Sequence, residues 1–419
     1  MAQSKEEKPK TEKKTLTEKD LFKLVDEIDD ISPYSCYLSE STFSKIDEYI
    51  DTGSMALNAI ISGSLYKGIP CGRITQFAGP SMTGKTFFVL KSIANAQKMG
   101  KIVVLYDSEN AIDALGAEGF GIDTKKVKYI ATTTVENTRN SIKRFLAKVA
   151  EAGPSAVGKF VIVVDSIAQM ETELGEKRMA EDNNAADMGT FAKSIKAFMK
   201  TCVNWGKVTK TTFIFTNEVY DDPSAMYPPI EKSMPGGKGA VYKPSVTVQL
   251  ARVPTKDDEG KTIDNTLAVM QKKFSGIVLR GLTVKNRLIK QFLECEMYLS
   301  FATGLDKYYG LLAMMRGFGI VVLDGKTYKD YEGNSLGFYK RWRKDKEVWD
   351  RLLPKLEEKI AEAWKYSNEE GEEDYFEDED ADAGDEEEDE ELSPLDKLKS
   401  LKNKVTAKLD EEEAVLDED

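Results

Sequence analysis

The chain has 419 residues, with 59 Lys and Arg against 72 Asp and Glu, four Cys and no His. Its length predicts two or three structural units with a sizeable core, and the missing histidine excludes a Ser-His-Asp triad, a histidine-bound metal and imidazole acid–base chemistry. The net charge of −13 misleads as a sum: residues 369–419 hold 25 acids and 5 lysines, which leaves the preceding 368 residues with 54 bases, 47 acids and a net charge of +7.

Residues 1–20 alternate in charge, lack the apolar core of a secretion signal, and read as a flexible arm. Apolar residues at 21, 22, 24, 25 and 28 predict a short helix over 21–31. Arm and helix form an N-terminal unit, 1–50. Strand-like apolar runs follow at 74–78, 102–106, 127–131, 160–164 and 211–216, with helical stretches at 86–99, 135–151 and 185–204 between them. This alternation predicts an α/β fold over 51–300, a mostly parallel twisted sheet flanked by helices. Runs at 246–251 and 276–285, joined by a polar loop at 254–265, read as later strands added antiparallel. Residues 301–368 read as a smaller C-terminal α+β region. Gly, Lys, Tyr and Trp crowd the chain after Leu323, and a helix is expected over 344–366, interrupted at Pro354. Between Glu369 and Glu391 fall 17 acids and no base, which predicts a largely disordered tail. That tail either keeps the chain soluble or competes with polyanions for the basic body. Cys36, Cys71, Cys202 and Cys295 are isolated, which argues against a thiolate zinc site and for a cytoplasmic protein. No apolar run approaches the roughly 18 residues of a membrane helix, so no membrane partner is expected.

The strongest motif is Gly79-Pro80-Ser81-Met82-Thr83-Gly84-Lys85-Thr86, a complete G-x-x-x-x-G-K-[ST] between a strand and a helix. Its glycines let backbone N–H groups wrap phosphate oxygens at a helix N-terminus. Lys85 is expected on the β- and γ-phosphates of ATP, and Thr86 on Mg²⁺. Asp165 closes the 160–164 run at the edge where open α/β sheets bind ligands, and is the second expected Mg²⁺ residue. Another run ends in Asp107-Ser108-Glu109. With no histidine, Asp107 or Glu109 is the candidate to orient and polarise water, and either fits equally well as a cap.

Several segments in order resemble the RecA family of ATP-dependent homologous-recombination proteins, and most of all its phage branch. They are Thr52-Gly53-Ser54 to Asn58, Gly72-Arg73-Ile74, the phosphate loop, Asp107-Ser108-Glu109, and 305–312 through 317–321. The resemblance runs from about residue 50 to 328 and more faintly through 342–364. It implies a RecA-like P-loop ATPase core using ATP and Mg²⁺. It also implies that Glu109 is the base activating the attacking water, that Asp113 lies near the adenine, and that Lys285 and Arg287 reach a neighbouring protomer's ATP. Without it, Lys285 and Arg287 read as a solvated strand end.

Two segments match the family's DNA-binding loops. The first, 181–189, carries Met188 and leads into a helix with Lys193 and Lys200, two turns apart on one face. The second, 218–240, holds Met226, Tyr227, Lys232, Gly236, Gly237 and Lys238; its Pro and Gly density excludes regular structure. Met226 and Tyr227 suit sequence-tolerant stacking on bases. One position departs from the family pattern. Where the family senses the γ-phosphate with Gln, or His in the phage branch, this chain has Glu218, after Asn217. A carboxylate repels phosphate unless Mg²⁺, a proton or a base intervenes. Either Asn217 takes over the sensing or Glu218 pairs with a base from the next protomer.

The expected protein is a DNA-dependent ATPase that forms filaments on single-stranded DNA and exchanges strands with homologous double-stranded DNA. By resemblance it serves recombination, repair and recombination-dependent replication, with a single-strand-binding protein and a loading mediator as partners. The alternatives are a hexameric helicase on the same core and a non-exchanging, ATP-gated accessory protein. Only about fifty residues precede the core, which argues against a helicase's assembly domain, and intact Lys85, Thr86, Glu109 and Asp165 argue against lost hydrolysis.

Overall fold

The computed structural model describes residues 17–26, 36–41, 45–181, 189–220, 232–253 and 276–366. Met188, Met226, Tyr227 and the acidic tail lie outside the described residues. Helix α1 (Glu18–Asp26) leaves Leu21, Phe22, Leu24 and Val25 about half exposed. A two-stranded antiparallel ribbon of β1 (Tyr49–Ile50) and β2 (Ile69–Pro70) brackets α2 (Met55–Ser62). Ser54 caps α2 by accepting the Leu57 N–H, and Gly63 ends it at φ 74°, a left-handed turn that favours glycine.

The predicted runs become the parallel strands β3 (Ile74–Ala78), β4 (Ile102–Asp107), β5 (Val127–Ala131), β6 (Phe160–Asp165) and β7 (Thr212–Asn217). They are joined by helices α3 (Lys85–Lys98), α4 (Ala114–Gly119), α5 (Val135–Glu151), α6 (Glu173–Ala180) and α7 (Thr190–Thr209). After α8 (Gly237–Tyr242) comes β8 (Val246–Val253), parallel to β3, and then β9 (Gly276–Asn286), β10 (Glu294–Ser300) and β11 (Gly304–Leu305), each antiparallel to the strand before it. Among the described residues the sheet order is β11-β10-β9-β8-β3-β7-β6-β4-β5.

Strand periodicity sorts the apolar residues between two cores. Val161 and Val163 of β6 face one, with Phe77, Phe88 and Val103; Ile162 and Val164 face the other, with Val104, Phe198 and Phe215. A strand buried on both faces needs no polar alternation, hence the unbroken run ending at Asp165. Full burial of each such side chain contributes about 1.5–3 kcal/mol.

The chain then forms α9 (Leu311–Gly317), a three-stranded sheet of β12 (Val321–Asp324), β13 (Thr327–Asp330) and β14 (Ser335–Gly337), α10 (Tyr339–Trp342) and α11 (Lys346–Trp364). Trp342 and Trp349 are buried in the first core, and the Trp349 ring stacks on Tyr308 at 4.7 Å.

Three expectations need correction. The helix predicted over 185–204 starts at Thr190 and runs to Thr209, because Gly189 (φ 78°) and Lys210 (φ 49°) place left-handed residues at its ends. Pro354 does not interrupt α11. It sits on the exposed side, as does Asp350 four residues earlier, so water can serve the lost backbone bond while Trp349, Leu352, Leu353, Leu356 and Ile360 anchor the buried stripe. The end of the 218–240 segment is not irregular: Gly237 and Lys238 open α8.

Candidate nucleotide site and nucleic-acid interface

The C-terminal ends of β3, β7, β6 and β4 lie level, with Ala78 beside Asn217 and Asp107 beside Asp165. The phosphate loop leaves this edge. Gly79 donates its N–H to the Asn217 carbonyl at 3.1 Å, and a Cβ on Gly79 would lie 2.6 Å from the Leu250 carbonyl oxygen, so only glycine fits. Thr83 ties the loop to itself by donating to the Pro80 carbonyl at 2.7 Å. Met82 (φ 65°) forms the exposed tip, and Gly84 (φ 85°) turns the chain into α3. The first N–H groups of a helix lack intrahelical acceptors, so α3 presents donors where the loop curls.

Lys85 folds back on the loop, donating to the carbonyls of Gly79 (2.7 Å) and Pro80 (3.0 Å). Burial holds its pKa below the usual lysine range, against the opposing pull of Glu218, Glu109 and Asp165. Thr86 donates to one Asp165 oxygen at 3.0 Å, and Thr216 donates to the other. Burial pushes the Asp165 carboxyl up, while these two hydroxyls hold it down. A threonine hydroxyl and a carboxylate are the hard oxygen donors Mg²⁺ prefers, so the residues fit that ion.

Asp107 and Glu109 separate cleanly. Asp107 is buried and spent on the backbone: one oxygen accepts from Glu109 N–H (2.9 Å) and Asn110 N–H (2.8 Å), the other from Ile112 N–H and the Tyr129 hydroxyl, both at 3.3 Å. It shapes the turn that delivers Glu109, which is exposed on the Lys85 side. Ser108 locks that turn to β6, donating to the Ser166 carbonyl at 2.8 Å while its oxygen accepts the Ser166 N–H at 2.9 Å. Asp113 caps α4 by accepting the Gly116 N–H at 2.6 Å. It stands at the rim of an apolar cavity of about 310 Å³ floored by Leu90, Ile93 and Leu105.

Glu218 is the acid felt most strongly by Lys85, and its carboxylate accepts from the Gln169 amide at 3.3 Å. Asn217 is buried; its amide donates to the Pro235 carbonyl at 3.3 Å, and its side-chain oxygen accepts the Glu218 N–H. The end of β7 is thereby tied to the end of the second loop. That loop closes on itself where Tyr220 N–H meets the Ser233 carbonyl at 2.9 Å. Gln249 then clamps Lys232, with its amide on the Lys232 carbonyl and its oxygen on the Lys232 N–H.

Helix α8 lies against α7 through glycines. A Cβ on Gly239 would come within 2.8 Å of Lys196 Cα, and one on Gly236 within 2.9 Å of the Ile195 side chain. Lys193, Lys196 and Lys200 are exposed on α7, as are Gly237 and Lys238 on α8. Sequence reading missed Lys196, although its spacing of three and four from Lys193 and Lys200 marks it as sharing their face. It also missed Thr216 and Gln169, whose roles come only from strand and loop neighbours.

Lys285 and Arg287 lie at the opposite edge of the sheet. Lys285 pairs with Thr247 on β8, which stands beside Gln76 of β3. Three strand residues separate that level from Gly79, about 10 Å along the strand. Neither cation therefore joins the Lys85 cluster of its own chain. Lys285 donates to the carbonyls of Val241 (3.2 Å) and Tyr242, and Arg287 donates to Tyr242 at 2.9 Å.

Residues 36–306 match the family described as the RecA N-terminal domain. Protein RecA of Saccharopolyspora erythraea is 26% identical over 321 residues, covering 75% of this chain and 84% of that protein. Protein RecA of Ruminococcus albus is 28% identical over 287 residues, 68% of this chain and 65% of that one. Protein RecA of Aquifex aeolicus is 28% identical over 323 residues, 75% and 84% respectively.

Proposed function

The chain belongs to the RecA family of DNA-dependent ATPases, and from that premise we propose that it is a recombinase that assembles head to tail on single-stranded DNA. It then pairs that strand with homologous duplex and exchanges the two. The observation that carries the reading is the placement of charge at the two ends of β3: the Lys85–Asp165–Glu109 cluster at one, the Lys285–Arg287 pair at the other. In a head-to-tail assembly a second copy would bring its Lys285–Arg287 end to the first copy's phosphate loop.

Each residue then has a task. Lys85 exchanges the Gly79 and Pro80 carbonyls for phosphate oxygens. Thr86 and Asp165 would hold Mg²⁺, which when bound would supply charge neutralisation on the phosphates. Glu109 accepts the proton of the attacking water. Lys285 and Arg287 of the next copy balance the charge that develops on the transferred phosphoryl group. Asp113 stands at the base end of the nucleotide. Lys193, Lys200, Lys232 and Lys238 meet DNA phosphates, Gly236 and Gly237 let the backbone come close, and Met188, Met226 and Tyr227 stack on bases. Residues before 51 bridge protomers.

Asp107-Ser108-Glu109 and the 305–321 segment support a finer assignment to the phage branch. That assignment brings recombination-dependent replication in a host cytoplasm, with a single-strand-binding protein and a loading mediator as partners. No helix among the described residues is long and apolar enough to cross a membrane. The test is Glu109→Gln in the full chain, with ATP binding, DNA-stimulated hydrolysis and strand exchange measured together. Hydrolysis is expected to fall about 100-fold or more with ATP binding kept. Undiminished hydrolysis would remove Glu109 from the mechanism.

A further inference from the structure

The segment that closes the second loop, 232–235, is held by side-chain amides. Asn217, Gln76 and Gln249 stand on the adjacent strands β7, β3 and β8 and are all buried. Strand alternation puts them, with Thr247, on the face that carries Ile74 and Phe215 in the second core. Asn217 donates to the Pro235 carbonyl, Gln76 donates to the Met234 sulfur at 3.2 Å, and Gln249 takes both the N–H and the carbonyl of Lys232. The row lies one residue below the phosphate loop: Asn217 and Gln249 flank Ala78 in register, and Gly79 follows. The row is also not fully used. Gln76 Oε1 and Thr247 Oγ1, on cross-strand neighbours, are buried without a hydrogen-bond partner among the described residues. The Gln76 amide itself meets only a sulfur, a weak acceptor. Buried polar atoms are nearly always paired, so two unpaired oxygens side by side call for a role. An apolar pair of the same shape would serve a purely structural core better.

We propose that Gln76 and Gln249 are positioning residues for DNA binding, and that the amide row is a two-position seat through which nucleotide at the phosphate loop sets the second loop. The proposal rests on the recombinase reading above and adds two residues to which that reading gives no task. In the described position Gln249 and Asn217 carry the segment, and the Gln76 and Thr247 oxygens go unpaired. In the other, a backbone N–H of 232–235 comes over those oxygens. An amide side chain can follow such a shift by turning about its own torsions, which a strand ladder cannot do. The trigger is local. Phosphate draws Lys85 off the Gly79 carbonyl, and Gly79 is the residue that bonds the Asn217 carbonyl and abuts the Leu250 carbonyl. Movement there reaches Asn217 and Gln249 first. Lys232 opens the seated segment, so its shift moves a lysine offered to DNA phosphates. The segment continues through Gly236 into α8.

The test is binding of a fluorescent single-stranded oligonucleotide by the full-length chain, with and without a non-hydrolysable ATP analogue and Mg²⁺. The parent is expected to bind about tenfold or more tightly with the analogue, and Gln249→Leu to bring that ratio down to about twofold. Affinity for the analogue without DNA is expected to stay near the parent's. By linkage, the same loss of coupling must appear when analogue affinity is measured with DNA present. The double variant Gln76→Met, Thr247→Val removes both unpaired oxygens. It is expected to melt at a higher temperature than the parent, since the oxygens no longer lack partners, and yet to show a ratio lowered about threefold or more. A merely structural role would not move stability and coupling in opposite directions. The proposal is overturned if Gln249→Leu keeps the parent's ratio. It is equally overturned if the double variant melts lower and loses DNA affinity to the same extent with and without the analogue, which would make the oxygens part of the core's own support. If the parent's DNA affinity ignores the analogue, the recombinase reading fails first, and the proposal with it.

Discussion

Glu218 and Lys285 each carry a charge that looks out of place until its partner is named. The anion at the phosphate-sensing position is answered within the same protomer, by Lys85 and the Gln169 amide. Bound phosphate would compete with Glu218 for Lys85 and push the carboxylate away. Replacing Glu218 with Gln removes that repulsion and keeps a hydrogen-bonding group. DNA-stimulated hydrolysis is therefore expected to be preserved or raised, by no more than about tenfold; a loss as deep as that of Glu109→Gln would make Glu218 essential. Lys285 is lowered to about 8 by burial, with Arg287 and Lys243 adding like charge, and the Tyr242 ring and the Val241 and Tyr242 carbonyls are its other neighbours. Between pH 8 and its ordinary value the unfolded chain binds the proton and the folded chain does not, so this group's destabilisation is present below pH 8 and lifts above it. Function runs the other way: the charged form is needed, so hydrolysis should fall as pH rises past 8. Assembly with ATP should take up protons, visible as a buffer-dependent heat, and Lys285→Arg should remove both effects. A flat pH profile across 7–9 would contradict this assignment.

At the scale of elements, α8 is the piece that sequence reading assigned to irregular loop. Glycines at 236, 237 and 239 looked like breakers; in the fold they leave room for α8 to approach α7, with Gly239 against the Lys196 backbone. Gly239→Ala should therefore force the two helices apart, costing about 1–3 kcal/mol and weakening single-stranded DNA binding in parallel. Unchanged denaturation and affinity would mean that the close approach is not needed. Legibility followed contiguity. The phosphate loop, the β6 run ending at Asp165 and the matching bounds of α5 could be read because period, cap and motif lie in one stretch of chain. Asp107 as a turn-builder, Thr216 on Asp165 and the uninterrupted α11 could not. Each depends on a partner from a distant segment or on which face meets water, and single-sequence spacing carries neither.

For the whole molecule, charge and topology set two expectations. The basic body, net +7, is followed by residues 369–419 at net −20. Ending the chain after Asn368 should strengthen duplex DNA binding at low salt and steepen its salt dependence, measured by titration at two ionic strengths. Equal affinity at low salt would leave the acidic segment a solubility element. The central claim is that the two ends of β3 meet across copies. It is tested most directly by electron microscopy of the purified chain on single-stranded DNA with Mg²⁺ and a non-hydrolysable ATP analogue. Continuous helical filaments, lost when Lys285 and Arg287 are both changed to Gln, are the predicted result. Closed rings, or filaments indifferent to that double change, would contradict it.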